Sequence, residues 1–432
     1  MPSHPSTQHG DFASLGLAPA LCRAAAEQGF DSPSPIQGLA IPAALRGGDL
    51  LVRAQTGSGK TAAYALPLLQ QLLRADPAPA PRSGRRRTRI LVLVPTRELA
   101  QQVGEFMRNL ARVLDSAPRI AVVFGGVSIN PQMMGLRGGA EVVVATPGRL
   151  LDLVDQNALQ INALDRLVLD EADRLLGLGF ADELGRILAL LPRRQQTLLF
   201  SATFTPEVQQ CADALLHEPE RILMDAAATE APDIVQRAIA VDESRRTQLL
   251  RHLVETEQWP QVLVFVATKY ATELVAHKLV RAGIHAASLH GDLAQGTRTD
   301  VLQAFKDKEA RVLIATDVAA RGIDIARLPV VVNYDLPRAT ADYLHRIGRT
   351  GRAGESGLAL SFVTAAQEAH FRLIEKRQQQ RVPREVVTGF EPTEQARAEQ
   401  LAGGVKGKRK SKKDKLREAA ALAKDDASAS KR

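Results

Sequence analysis

The stretch Asp49-Leu50-Leu51-Val52-Arg53-Ala54-Gln55-Thr56-Gly57-Ser58-Gly59-Lys60-Thr61-Ala62-Ala63-Tyr64-Ala65-Leu66 decides the fold. Its opening apolar run reads as a buried strand, and Ala62 onward reads as a helix. The small-residue loop between them has the shape of a phosphate cradle. Gly57 and Gly59 let the backbone aim N–H groups at an anion, and the helix N-terminus adds partial positive charge. Lys60 can reach outer phosphates, and the Thr61 hydroxyl can ligate a Mg²⁺ held between them. The pattern G-x-x-x-x-G-K-[ST] is met except at its first position, where Ala54 is small enough to serve. A chance Gly-Lys-Thr in a Gly-rich turn is the competing reading, and the strand–loop–helix context disfavours it.

The same rhythm recurs outward from this loop. Ile90–Val94 precedes Pro95-Thr96-Arg97, and Ile120–Phe124 precedes Gly125-Gly126. Val142–Ala145 precedes Thr146-Pro147-Gly148-Arg149, Leu167–Leu169 precedes Asp170-Glu171-Ala172-Asp173, and Leu198–Phe200 precedes Ser201-Ala202-Thr203. Continuous β-branched and leucine runs alternating with helices imply an α/β fold, a parallel sheet covered on both faces. Ligands bind at the carboxyl ends of such strands, where every polar motif falls. Residues 225–233 lack periodicity and read as a linker. A second α/β alternation follows, with strands expected at 261–266, 285–289, 311–315, 330–334 and 357–363 and a helix from 365 to about 378, but no Gly-Lys-Thr loop.

The 432 residues suffice for two to three domains, with 45% hydrophobic content. The only cysteines, Cys22 and Cys211, have no metal-ligand spacing and read as small core residues in a reducing cytoplasm. No secretory signal and no apolar run near 18 residues is present, so a cytoplasmic chain without membrane contact is expected. Residues 401–432 hold 11 Lys+Arg against 4 Asp+Glu, so nearly all of the net charge of +8 sits there. Residues 1–10 and 386–432 read as disordered, the latter as a basic tail.

Asp170 stands at a strand end 110 positions after Lys60, where a Mg²⁺-holding carboxylate belongs. Glu171 could orient or deprotonate an attacking water. Both could equally be favourable charges at a helix N-terminus. In His345-Arg346-Ile347-Gly348-Arg349-Thr350-Gly351-Arg352, arginines spaced by three can present two guanidinium groups to one anion; an RNA phosphate patch or a solvated basic turn are alternatives. Phe30 and Gln37 could stack on and pair with adenine, although Ser32-Pro33-Ser34-Pro35 also reads simply as a Pro-rich helix entry.

Asp170-Glu171-Ala172-Asp173 spells a family name. With the other motifs in order from Phe12 to Phe362, the chain resembles the DEAD-box ATP-dependent RNA helicases of superfamily 2. The runs Val123–Met134 and Gly389-Phe390-Glu391-Pro392 resemble the bacterial RhlE-type subgroup. The resemblance implies two tandem RecA-like domains, 11–224 and 234–385, joined by 225–233. It implies an ATP site of Phe12, Phe30, Gln37, Ala54 to Thr61 (with Gln55, Thr56, Ser58 and Gly59) and Asp324. Lys60, Asp170, Glu171, Arg349 and Arg352 are implied as catalytic, with Arg349 and Arg352 matching the arginine fingers and Arg346 not. Thr61 and Asp170 would hold Mg²⁺. Asp173, Ser201, Thr203 and His345 are implied to couple ATP state to strand separation.

For RNA, the resemblance implicates Arg97, Gly125, Gly126, Thr146, Gly148, Arg149, Thr268, Arg298, Thr316 and Gly322. Glycines, hydroxyls and single arginines suit phosphate and sugar contacts, so recognition is expected to be largely independent of sequence. Aromatic content of 4% argues against extensive base-stacking platforms. The expected function is ATP-driven, local, non-processive unwinding of RNA duplexes by a monomer, with proteins of ribosome assembly or RNA decay as candidate partners. An ATP-gated RNA clamp that remodels ribonucleoprotein, and a DNA-acting helicase of the same superfamily, are the alternatives.

Overall fold

The computed structural model describes residues 11–54, 57–74, 86–192, 196–224, 234–320, 328–351 and 356–394. The expected linker 225–233, the first ten residues and the basic run beyond Glu394 lie outside the described residues, as do Gln55, Thr56, Gly322, Asp324 and Arg352.

The first half builds one sheet from β1 (Leu50–Arg53), β2 (Ile90–Leu93), β3 (Ile120–Val123), β4 (Val142–Ala145), β5 (Arg166–Leu169), β6 (Gln196–Ser201) and β7 (Glu220–Leu223). Its order is β3-β4-β2-β5-β6-β1-β7, and every pairing is parallel. Side chains alternate across a strand, so consecutive residues feed opposite cores. Leu50, Val52, Val92, Val144 and Val168 join one hydrophobic cluster, while Leu51, Leu91, Leu93, Val143 and Leu167 join another. Both faces are therefore covered by helices, which is why these strands lack polar alternation.

The second half repeats the plan with β8 (Ile234–Ala240), β9 (Val262–Val266), β10 (Ala286–Leu289), β11 (Val312–Thr316), β12 (Val330–Asn333), β13 (Gly357–Val363) and β14 (Arg384–Glu385). The order β10-β11-β9-β12-β13-β8-β14 is the first sheet's order shifted by seven strands. The two halves are thus the same topology twice, as expected of tandem RecA-like domains. β8 occupies the place of β1. Where the first half follows that strand with its glycine loop, the second follows it with Val241-Asp242-Glu243-Ser244-Arg245.

Three strands escape the sequence reading. In β7 only Ile222 is buried, and β14 is two residues long at the sheet edge. β8 reads Ile-Val-Gln-Arg-Ala-Ile-Ala, with Gln236 and Arg237 breaking the apolar run. Strands at or beside an edge are partly solvated, and these three, unlike the apolar edge strand β3, carry too few consecutive apolar residues to stand out.

Residues 386–394, expected within the disordered tail, are instead packed on the second domain. The Phe390 ring lies 5.4 Å from the His252 ring, and the Arg245 guanidinium sits 4.9 Å from its centroid. The Asp242 carboxylate accepts N–H bonds from Thr393 at 2.8 Å and Glu394 at 2.9 Å. One aromatic and one capping carboxylate order the strap, and a lone aromatic carries no period to read.

Candidate nucleotide and nucleic-acid site

The polar motifs line the carboxyl edge of each sheet, and strand order sorts them. At the ends of β1, β6 and β5 stand the phosphate loop, Ser201 and Asp170. At the ends of β2, β4 and β3 stand Arg97, Thr146 and Gly125. ATP candidates thus occupy one half of the edge and RNA candidates the other.

The phosphate loop is braced from the helix Pro35–Arg46. The Gln37 amide nitrogen donates to the Gly59 carbonyl at 3.2 Å, its oxygen accepts from Ser34 N at 2.9 Å, and the Ser34 hydroxyl donates to the Ser58 carbonyl at 2.8 Å. Gly59 has φ +93°, and a Cβ there would lie 2.4 Å from Gln37 Nε2, so the close approach admits only glycine. Lys60 is buried, and its Nζ donates to the Ala54 carbonyl at 2.9 Å. Gln37 is 1% exposed, so its visible role is to hold the loop. Phe12 is buried in the core, and Phe30 packs edge-to-face on Phe106 at 5.8 Å, so neither ring is laid out as an open stacking surface.

Asp170 is buried, and its pKa is pushed up to about 6, chiefly by desolvation, with Lys60 opposing the rise. Its Oδ2 accepts from the Tyr64 hydroxyl at 2.9 Å, and its Oδ1 accepts from Glu171 N at 2.8 Å. The Thr61 side chain lies close enough to the Tyr64 hydroxyl to oppose the rise in its pKa, so Tyr64 sits beside both residues expected to hold Mg²⁺. Burial, then the Asp170 charge, raises the Tyr64 pKa well above its ordinary value, keeping it a donor. Sequence reasoning missed Tyr64 because an aromatic in an apolar helix reads as core.

A hydroxyl and a carboxylate are hard oxygen ligands suited to Mg²⁺, which takes one or two protein ligands and completes its shell with phosphates and water. Among the described residues no cluster of three His, Cys, Asp or Glu forms a self-sufficient metal site. The donor set fits a cation brought in with a nucleotide.

Glu171 adopts left-handed backbone angles, φ 49° and ψ 50°, at the start of the helix Ala172–Gly177. Such angles cost a non-glycine residue about 1–2 kcal/mol, and strain of this kind concentrates at functional sites. Asp173 Oδ2 accepts from Thr203 N at 3.1 Å and from the Thr203 hydroxyl at 2.7 Å, while the Ser201 hydroxyl donates to the Thr203 carbonyl at 2.7 Å. The end of β6 is thereby tied to the helix that carries Glu171.

Arg97 and Arg149 support one loop. Arg97 fills the space beside Gly126, whose φ is +74°, and Arg149 donates to the Val127 carbonyl at 2.7 Å. Gly125 N donates to the Thr146 hydroxyl at 3.3 Å. Gly148 lies in the first turn of the helix Pro147–Asp155. In the second domain, Thr268 is exposed and caps the helix Lys269–Arg281, and Thr316 ends β11.

Arg298, read from sequence as an RNA contact, is buried. It ion-pairs with Glu98 of the first domain at 2.6 Å and donates to the His290 and Ala319 carbonyls. Gln295 adds a bond to Gln101 at 3.4 Å. Spacing gave no sign of this contact, because its halves lie 200 positions apart.

Arg346 is also buried. It holds Asp317 through two bonds of 2.6 and 2.7 Å and Asn333 through one of 3.0 Å. Arg349 and His345 stand on the wall that faces Arg174 of the first domain.

Known proteins share this layout. The DEAD/DEAH box helicase family profile matches residues 34–211, and the helicase conserved C-terminal domain profile matches residues 245–354. The ATP-dependent RNA helicase DeaD of Mycobacterium tuberculosis is 41% identical over 372 residues, 86% of this chain and 64% of that protein. The DEAD-box ATP-dependent RNA helicase CshA of Bacillus cereus is 38% identical over 373 residues, 86% of this chain and 69% of that protein. The chain therefore spans less than two thirds of the DeaD relative. Saccharomyces cerevisiae Dbp5 bound to RNA and ADP BeF3 superposes with a TM-score of 0.76 at 32% identity, covering 87% of this chain and 95% of that one. A variant of Dbp5 bound to Nup159, Gle1, IP6 and ADP covers 86% and 96% at 30% identity, with a TM-score of 0.59.

Proposed function

The chain belongs to the DEAD/DEAH box helicase family, and from that membership we propose that it is an ATP-dependent RNA helicase whose ATPase site is completed when its two domains close on RNA. The observation that carries the proposal is the meeting of the domains at the ATP half of the edge. There Arg349 and His345 of the second domain share one small cavity with Arg174 of the first. The comparison with Dbp5 supports it: at similar coverage and identity, the RNA- and ADP BeF3-bound form fits at 0.76 and the other form at 0.59. The domain arrangement here resembles the one that protein adopts with RNA and a phosphate analogue.

In this mechanism Gly57, Gly59 and Lys60 bind the phosphates of ATP, and Thr61 and Asp170 would hold an accompanying Mg²⁺, which would supply neutralisation of phosphate charge. Tyr64 orients Asp170. Glu171 orients the attacking water, its carboxylate serving as acceptor for the proton. Arg349, with Arg352 beyond the described residues, stabilises charge developing on the outer phosphate. Closure also brings Thr268 and Thr316 into line with the 125–127 loop, Thr146 and Arg149, forming one track of backbone N–H and hydroxyl groups for RNA phosphates and sugars.

Each ligand favours closure only as far as it touches both domains. The expected output is local strand separation by a cytoplasmic monomer, with partners in ribosome assembly or RNA decay. Among the described residues no helix is long and apolar enough to cross a membrane. The RhlE-type subgroup is an expectation from two short motifs, and the relatives compared carry DeaD and CshA names.

The test is separation of a short RNA duplex, with an equal-sequence DNA duplex as competitor. ATP-dependent release of the RNA strand with little inhibition by DNA supports the proposal. ATP-dependent RNA retention without strand release favours a clamp, and equal action on DNA overturns the RNA assignment.

A further inference from the structure

Arg174 directly follows Asp170-Glu171-Ala172-Asp173, and the mechanism above gives it no role. Its side chain is 9% exposed, and arginine is almost never this buried without full pairing. Nε lies 3.5 Å from Glu171 Oε2, too far for a good hydrogen bond. Nη1 is sealed from water without a hydrogen-bond partner, and Glu171 Oε2 has none either. An unmet buried donor is destabilising, so stability does not explain the arrangement. Arg174 faces the other domain across a small cavity. It lines a cavity of about 20 Å³ together with Asp342, His345 and Arg349. Asp342 Oδ1 is 3.8 Å from His345 Nδ1, and the cavity has room for about one water to bridge it to Arg174.

We propose that Arg174 is a positioning residue that conveys domain closure to Glu171, fixing the water-orienting carboxylate only when the second domain's Asp342 wall seals over it. The inference rests on the reading that Glu171 orients the attacking water in an RNA-driven closed state. When Arg174 faces solvent, its pairing with Glu171 is a surface ion pair, weak and easily exchanged for water. When the second domain seats, the same pair is desolvated and its attraction grows as the local dielectric falls. The guanidinium then lies between Glu171 on its own helix and Asp342 opposite. The left-handed turn already fixes the Glu171 backbone, and Arg174 fixes the carboxylate.

The experiment is steady-state ATP hydrolysis by the full chain at saturating RNA, comparing wild type, R174M, R174K, D342N and R174M/D342N. We expect R174M to lose about tenfold in kcat with KM for ATP within about twofold, as removal of a group acting only at the transition state does. R174K retains the charge and its attraction for Glu171 and should recover most of the loss, to within about threefold of wild type. D342N should add nothing to R174M in the double variant, because both act through one route. Wild-type kcat in R174M overturns the inference, as does an R174K loss equal to that of R174M. Should R174M fail to fold, D342N and R174K still decide: wild-type kcat in D342N, or a full tenfold loss in soluble R174K, overturns it. If wild type itself shows no RNA stimulation, the closure reading has failed, and this inference falls with it.

Discussion

Asp170 is a carboxylate placed where it is costly to ionise. Its pKa of about 6 against an ordinary 3.8 means that the folded, nucleotide-free chain holds the proton more tightly than the unfolded chain. A raised acid contributes stability that is fully present below pH 4 and is lost as pH rises through 6, on the order of 3 kcal/mol for a shift of about two units. Asp170→Asn should therefore be more stable than wild type at pH 7.5, with the advantage shrinking toward pH 5; thermal unfolding at both pH values checks this, and a constant difference contradicts it. Tyr64→Phe removes a donor that favours the ionised carboxylate. The pH below which Mg²⁺–ATP binding weakens should then move upward, measured by nucleotide affinity from pH 5 to 8.

Gln37→Ala leaves Ser34 N and the Gly59 carbonyl unmet and should weaken ATP binding by roughly 1–3 kcal/mol. If Gln37 also reads adenine, discrimination against GTP falls as well; equal loss for both nucleotides assigns it to the loop alone. At this scale the loop position of Lys60 and Thr61 and the strand-end position of Asp170 were legible from residue type and spacing, whereas Asp173 and Thr203 came only from the family resemblance and their pairing from the structure. Tyr64, Arg174 and the burial of Arg298 were not legible, because each depends on what folds against it.

Among elements, the sequence reads best where a strand is buried on both faces. β2 is apolar at all four positions, and the sequence reading places it to within one residue at its end. β7, β8 and β14 sit at or next to an edge, and their mixed polarity hides them. The strap 386–394 hides for a different reason, since its attachment depends on Phe390 and Asp242 rather than on a periodic face. Phe390→Ala should cost about 1–3 kcal/mol by removing the ring from His252 and Arg245. A lowered unfolding midpoint for the second domain would show it, and an unchanged midpoint would mean that the polar contacts from Asp242 to Arg245 hold the strap without the ring.

Across the whole molecule, one topology is used twice, and only the first copy keeps the glycine loop. In the second copy the equivalent position carries Asp242, which accepts N–H groups of the chain's own strap. On the proposed reading the first domain supplies nucleotide binding and the second supplies arginines, so that hydrolysis belongs to the pair. The buried Glu98–Arg298 ion pair joins them away from the nucleotide. Breaking one side of a buried pair costs about 3–5 kcal/mol. Arg298→Met should accordingly raise the RNA concentration needed for half-maximal ATPase while leaving RNA-free ATP affinity near wild type. Removing residues 401–432 takes away 11 cations and should flatten the salt dependence of RNA binding, with RNA-saturated turnover little changed.

The central claim is that the ATP site is completed by a second domain that RNA helps to close. Its most direct test is steady-state ATP hydrolysis by the purified chain with and without a short RNA duplex. The account predicts that RNA raises kcat by at least about tenfold, since it recruits Arg349 to the developing phosphate charge. Equal rates with and without RNA would contradict it.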